Sequence, residues 1–231
     1  MPRARWPSPQ VGRGSRPRKP LRKEHPILEL IRNRCTMERF DTERGLEEDE
    51  IRALVHDATR APSSFNIQHW RFVAVRRRED KERLKEAAHG QTQVTEAAVT
   101  FLVLGDVGAL EKLPAILDRA VADGALPQRK AEAWLRMARE IYADASMARD
   151  EALRSAALAA MTLMLAAEAR GLGSAALSGF DVARVRREFA IEERYLPVLL
   201  VSVGHPAAIA PTRQRRLDVD EVLARDRGRR F

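Results

Sequence analysis

Residues 61–72 read Ala-Pro-Ser-Ser-Phe-Asn-Ile-Gln-His-Trp-Arg-Phe. Pro62, Ser63 and Ser64 have the chemistry of a helix stop followed by a turn. Trp70-Arg71-Phe72-Val73 begins an apolar run suited to a buried strand. Turn chemistry accounts for the first half of the stretch but not for Asn66 and Gln68. Their side-chain amides carry both donors and acceptors, and can read the edge of a heterocycle of mixed polarity. Ser63 and Ser64 add small hydroxyls and leave room for a flat ring. The stretch therefore reads as a candidate binding loop set between a helix and a strand.

Working outward, Ile27–Asn33 reads as a short amphipathic helix. Glu47–Arg60 places Ile51, Leu54, Val55 and Ala58 on one helical face, with acids in its first turn where the helix dipole favours them. The strand after the loop is predicted over Trp70–Val75, a charged helix over Glu79–Ala88 and a second buried strand over Val99–Leu104. Leu110–Tyr142 is helical with a break near Gly124–Pro127. Arg149–Arg170 is a long helix whose middle, Ser155–Ala167, is apolar on every face, so something must cover it all round. Gly171 and Gly173 read as its C-cap. An extended piece at Ser174–Leu177, a helix at Asp181–Phe189 capped by Asp181, a buried strand at Leu196–Val203 and a last short helix complete an α+β pattern.

The charge distribution excludes one class of function. The net charge is +8, yet residues 1–26 alone hold eight basic residues and one acid, and the remaining chain is nearly balanced. A domain gripping nucleic acid through its phosphates needs the cations on a folded face, so nucleic-acid binding is not expected. Six of the twelve prolines also fall in residues 1–26, which predicts a disordered basic extension ahead of a single domain at 27–231. The longest uncharged stretch in the Ala-rich region, Ser155–Ala167, is well short of the roughly 20 apolar residues of a membrane span. The Arg-rich start runs into prolines rather than an apolar stretch, and Cys35 is the single cysteine, so a cytoplasmic protein without membrane association is expected.

The usual catalytic constellations are missing. The five histidines fall in no metal-ligand spacing, no serine sits in a nucleophile elbow, and no glycine-rich nucleotide loop follows a strand. No catalytic side chain and no metal are assigned, and an enzyme of this composition would rely on a bound cofactor. Two further segments could serve one. Arg32-Asn33-Arg34-Cys35-Thr36 ends the first helix with guanidinium and hydroxyl groups suited to a phosphate monoester, or else is an ordinary basic helix end. Arg213-Gln214-Arg215-Arg216 is either a solvated run or, if the fold returns it toward Arg34, part of the same anion site.

Taken in this order, the segments resemble the nitroreductase family of flavoproteins. The loop is similar to that family's APSSxNxQPWxF pattern, with His69 at the usual proline. Gly171–Asp181 resembles its flavin-facing segment, and Tyr195–Pro206 its terminal core strand. The resemblance implies a three-layer fold with a mixed, mostly antiparallel sheet between helices, in an intertwined homodimer holding FMN across the subunit interface. It implies a ping-pong reaction in which NAD(P)H reduces the flavin and a small-molecule acceptor, such as a nitroaromatic or quinone, reoxidises it. The flavin-binding residues it implies are Arg34, Cys35 and Thr36 with Arg213 or Arg216 at the phosphate; Pro62, Ser63, Ser64, Asn66 and Gln68 at the ribityl chain and ring; Gln93 at the ring edge; and Ser178 and Gly179 near N5.

Three positions depart from the family pattern. Cys35 stands where Arg or His is common, Glu38 where Arg or Lys is common, and Gly90 where an amide is found in one branch. Arg39 is the expected substitute for the cation missing at Glu38. A neutral Gln93 at the ring edge predicts a lowered flavin potential. Two alternatives stay open. One is a specialised relative, a dehalogenase or flavin-cleaving enzyme, with Leu113–Ala143 as a lid carrying Trp134 and Tyr142, residues that otherwise simply pack a helix face. The other is an FMN-binding protein without turnover.

Overall fold

The computed structural model describes residues 25–208 and 213–228. The basic extension expected over residues 1–26 therefore lies outside the described residues except for His25 and Pro26. These two open the first helix, α1 (Pro26–Asn33), where His25 Nδ1 accepts the Ile27 N–H at 3.3 Å. Helix α2 (Glu48–Ala58) starts with a reciprocal capping box, in which Glu50 accepts the Glu47 N–H at 2.8 Å. Strand β1 (Trp70–Val75), helix α3 (Arg78–Ala87) and strand β2 (Val99–Asp106) follow the sequence reading closely. A one-turn helix between them, α4 (Gln93–Glu96), was not anticipated.

The stretch expected to be helical with one break resolves into a 3₁₀ turn at Ala109–Lys112, α5 (Leu113–Ala122) and α6 (Gln128–Ile141). Helix α7 spans Ala145–Glu168 and begins four residues before the expected Arg149. The reason is local: Asp144 accepts the Ser146 N–H at 2.8 Å and so caps an earlier turn. Its other end is a Schellman turn, with Gly171 at φ +72°, the Leu172 N–H on the Ala167 carbonyl and the Gly171 N–H on Glu168, both at 3.0 Å. Gly173 belongs instead to strand β3 (Gly173–Leu177), which is followed by α8 (Val182–Glu188), β4 (Tyr195–Gly204) and α9 (Val219–Val222).

The sheet order is β1-β2-β4-β3, with every strand pair antiparallel. Among the described residues its parallel element is a single bridge, Thr36 to Ser174, which adds the segment after α1 to the β3 edge. Alternation along the strands makes three layers. Phe101, Val103, Val201 and Val203 face α2 and α7, where they meet Leu54, Ala156, Ala160 and Leu163. Leu102, Leu104, Ala175 and Leu200 face α3, α4 and α8, where they meet Leu84, Val94 and Val185. Each fully buried Val, Leu or Phe side chain in these layers contributes about 1.5–3 kcal/mol. Helix α7 crosses β2 so closely that a Cβ on Gly105 would lie 2.7 Å from the Ala152 carbonyl oxygen. That glycine sets the spacing between the long helix and the sheet.

Candidate functional site

The structure sorts the expected site residues into two groups at opposite edges of the sheet. At the β3 edge, α1 ends in carbonyls that have no partner within the helix. Arg213 returns from the far end of the chain to meet them. Its Nη2 donates to the Asn33 carbonyl at 2.9 Å, and its Nη1 donates to that of Arg32. Of the arginine run, Arg213 is thus brought to the two residues that precede Arg34. Arg34 and Cys35 are half-buried and Thr36 is exposed. Cys35 packs against the core beneath α3, α4 and α8. Thr36 is pinned by its bridge to Ser174, and the next residue, Met37, donates its N–H to the Ser174 carbonyl at 3.0 Å. Arg216 is exposed and turns to the Gln214 carbonyl at 3.4 Å.

Ser178 and Gly179 emerge exposed from β3 on the same edge. The side chain that reaches them is Gln91, whose Nε2 donates to the Gly179 carbonyl at 3.0 Å. Gln93, the amide singled out in sequence, opens α4 and is half-buried. Gln91 lies two residues earlier in the same stretch. Glu38 is exposed. Its neighbour Arg39 is held by Glu96, with Nε–Oε2 at 2.9 Å, and that carboxylate also accepts the Phe40 N–H at 3.2 Å.

The loop of residues 61–72 stands at the β1 edge. Phe65, Asn66 and Gln68 all adopt left-handed backbone conformations, φ +51°, +57° and +60°. Each costs free energy for a residue with a side chain, and the surrounding contacts hold them there. Ser63 supplies two: its Oγ accepts the Gln68 N–H at 2.9 Å and its carbonyl accepts that of Asn66 at 3.0 Å. Phe65 is clamped by Trp134 and Tyr142, with ring centroids at 5.9 and 6.4 Å in edge-on geometry. Trp134 and Tyr142 thus pack a helix face over the loop. Ile67 and Trp70 are buried, which leaves Asn66 exposed and Gln68 and Ser64 half-exposed. The strained turn drives its apolar side chains inward and its amides outward.

Two polar arrangements beneath the loop escaped the sequence reading. Asp106, fully buried at the end of β2, receives Arg71 Nη2 on one oxygen at 2.7 Å and Arg194 Nε on the other at 2.9 Å. Arg71 also donates to the Gln68 carbonyl at 2.9 Å, tying the buried pair to the loop. His69 is 2% exposed, with Nδ1 3.2 Å from Ser155 Oγ on α7, and that hydroxyl lies 3.4 Å from Glu151 Oε1. Burial holds the imidazole below its ordinary pKa, while the negative charges of Glu151 and Asp106 oppose that shift. Burial likewise raises the Tyr142 phenol, opposed by its hydrogen bond with Ser64.

Three strand spacings of about 4.8 Å separate the β1 edge, with Asn66 and Gln68, from the β3 edge, with Arg34 and Thr36. Among the described residues no cluster of His, Cys, Asp and Glu has the makings of a metal site, and no helix is long and apolar enough to cross a membrane.

A three-layer antiparallel fold with a guanidinium-lined helix end and an amide-bearing loop narrows the class, and comparison with known proteins fixes it. The model of the nitroreductase family matches residues 31–205. YodC of Bacillus subtilis, which carries a provisional NAD(P)H nitroreductase name, is 33% identical over 196 residues, spanning 84% of this chain and 96% of YodC. A protein of Thermus thermophilus named NADH dehydrogenase is 35% identical over 159 residues, spanning 68% of this chain and 76% of its own length. A provisionally named nitroreductase of Exiguobacterium sibiricum, solved in complex with FMN, superposes with a TM-score of 0.81 at 29% identity, covering 88% of this chain and 98% of that one. The chain belongs to the nitroreductase family.

Proposed function

We propose that the protein is an FMN-dependent oxidoreductase that takes electrons from NAD(P)H and passes them to a nitroaromatic, quinone or similar small acceptor. The observation that carries this reading is the return of Arg213 to the end of α1, which gathers guanidinium and hydroxyl groups from two distant parts of the chain. The donor chemistry fits the cofactor. Arg34, Thr36 and Arg213 suit its phosphate. Pro62, Ser63, Ser64, Asn66 and Gln68 suit its ribityl chain and ring, and Gln91 with Gln93 and the Ser178–Gly179 backbone suits the ring edge. Cys35, whose side chain packs into the core, would offer only its backbone on the phosphate side, and Arg216 would contribute charge from the exposed run.

FMN, when bound, supplies the hydride acceptor and donor of both half-reactions. The chain's own residues bind it, fix its orientation and shield it from water. For a nitro acceptor the balance is R–NO₂ + NAD(P)H + H⁺ → R–NO + NAD(P)⁺ + H₂O. Ping-pong order follows if donor and acceptor use the same face in turn.

The two residue groups stand at opposite sheet edges of one chain, an arrangement that fits a site completed by residues of a second copy. We therefore assign an intertwined homodimer. Two surfaces support it: the outer face of α7, where Leu158 and Met161 are 46% and 38% exposed, and the neighbouring α1, with Ile27, Leu28 and Ile31 exposed. Residues 217–223 add an exposed apolar arm of Leu217, Val219, Val222 and Leu223. Apolar exposure on this scale marks an interface. A cytoplasmic enzyme is the setting in which NAD(P)H is available.

The test is steady-state NAD(P)H oxidation by the FMN-loaded protein with menadione and nitrofurazone as acceptors. Turnover with either supports the reading. Bound FMN that neither nucleotide reduces overturns it in favour of a binding protein.

A further inference from the structure

Between the loop and α5 lies a cavity of about 780 Å³, bordered by Asn66 and Gln68 and so shared with the proposed flavin site. That volume is within the range of small-molecule pockets. Its α5 wall is a single helical stripe: Lys112, Ile116, Arg119 and Asp123 recur at helical spacing. Ile67, which is buried, joins Ile116 in an apolar floor.

The charges around this floor are not equivalent. Arg71 is occupied by the Asp106 carboxylate and two backbone carbonyls, and Glu111 is paired with Arg194 at 3.1 Å. Among the described residues, no carboxylate lies within ion-pair distance of Lys112 or Arg119, although Asp123, which also lines the cavity, follows Arg119 by one helical turn. An apolar floor beneath two uncommitted cations matches a ligand with an apolar body and an anionic end.

We infer that this cavity takes electron acceptors that carry a carboxylate on an aromatic or aliphatic body, and that Lys112 and Arg119 select them over neutral analogues. The inference rests on the reductase reading and names its substrate class. With 4-nitrobenzoate the nitro group is the reacting end, reduced to nitroso with loss of water as balanced above. The carboxylate is a spectator that binds.

The experiment pairs 4-nitrobenzoate with its neutral isostere 4-nitrobenzamide as acceptors for the FMN-loaded dimer. Binding of benzoate and benzamide is measured in parallel by calorimetry, without turnover. The wild type is expected to favour the carboxylate about tenfold in kcat/KM and in Kd. Arg119→Ala is expected to lower that ratio about threefold, the double variant Lys112→Ala/Arg119→Ala to bring it near one, and Arg119→Lys to retain most of it. A wild-type ratio near one, or a ratio the variants do not move, overturns the inference while leaving the reductase reading intact. If neither nucleotide reduces the flavin, the reductase reading fails, and the calorimetric benzoate-to-benzamide ratio still decides whether the cavity selects a carboxylate.

Discussion

Arg213 lies across the last turn of α1 and donates to the Asn33 carbonyl, although 180 positions separate the two residues. The contact holds a cation on the last residues of α1, just before Arg34, and it distinguishes Arg213 from Arg216, which bonds only locally. Charge-assisted hydrogen bonds are worth about 1.5–3 kcal/mol each. Arg213→Ala is therefore expected to weaken FMN binding by roughly 10- to 100-fold. Arg216→Ala should weaken it by no more than about threefold, both read by fluorescence titration of the apoprotein. Equal effects would mean that the α1 contact does not mark the phosphate site.

Asn66 tests loop geometry against loop chemistry. Its backbone is left-handed, which glycine adopts without the steric cost of a side chain. Asn66→Gly is expected to leave thermal stability level or raised by up to about 1 kcal/mol. The same variant should lose FMN affinity because the outward amide is gone. A variant that binds FMN like the wild type would remove Asn66 from the site.

Asp106 is fully buried between Arg71 and Arg194. Removing the carboxylate leaves two guanidinium groups without their shared partner, a change that costs about 3–5 kcal/mol in a fully buried pair and less here, where Arg71 and Arg194 are 28% and 31% exposed and Arg194 keeps Glu111. Asp106→Ala should show that loss in urea denaturation. It should also loosen the loop, because Arg71 holds the Gln68 carbonyl.

His69 gives the stability a pH dependence of known sign. Burial lowers its folded-state pKa below the ordinary 6.5. Below that value the unfolded chain takes up a proton that the folded chain resists, so the stabilisation present above about pH 6.5 is lost as pH falls through the folded pKa. The melting temperature should fall between pH 7 and 5 more steeply for the wild type than for His69→Gln. Parallel slopes would assign the acid sensitivity to other groups.

Leu158 and Met161 are expected to lie in the subunit interface. Leu158→Arg places a charge on that apolar face and should convert a dimer to a monomer in sedimentation velocity, with loss of bound FMN. A dimer that survives the change would move the interface elsewhere.

Much of this architecture was legible in sequence because it is written in local patterns. Trp70–Val75 could be placed to the residue from its apolar run, and the break between α5 and α6 from Gly124 and Pro127. Helix α7 begins before the expected Arg149 because its start is set by one hydrogen bond, the Asp144 cap, rather than by any periodic pattern. What escaped was long-range or conformational. Asp106, Arg71 and Arg194 are far apart in the chain, and nothing local marks them as one cluster. The left-handed backbone at Phe65 and Gln68 has no glycine to announce it. Cross-strand order explains why the loop and the arginine cluster sit on opposite edges, a separation no motif spacing reveals.

The central claim is that two chains enclose a flavin that exchanges electrons with a pyridine nucleotide. The most direct measurement is the visible absorbance spectrum of the purified protein, followed by anaerobic addition of NADH and then NADPH. A flavin spectrum near one FMN per chain that bleaches with at least one nucleotide is the expected result. Colourless protein that takes up no added FMN in calorimetry would contradict the account.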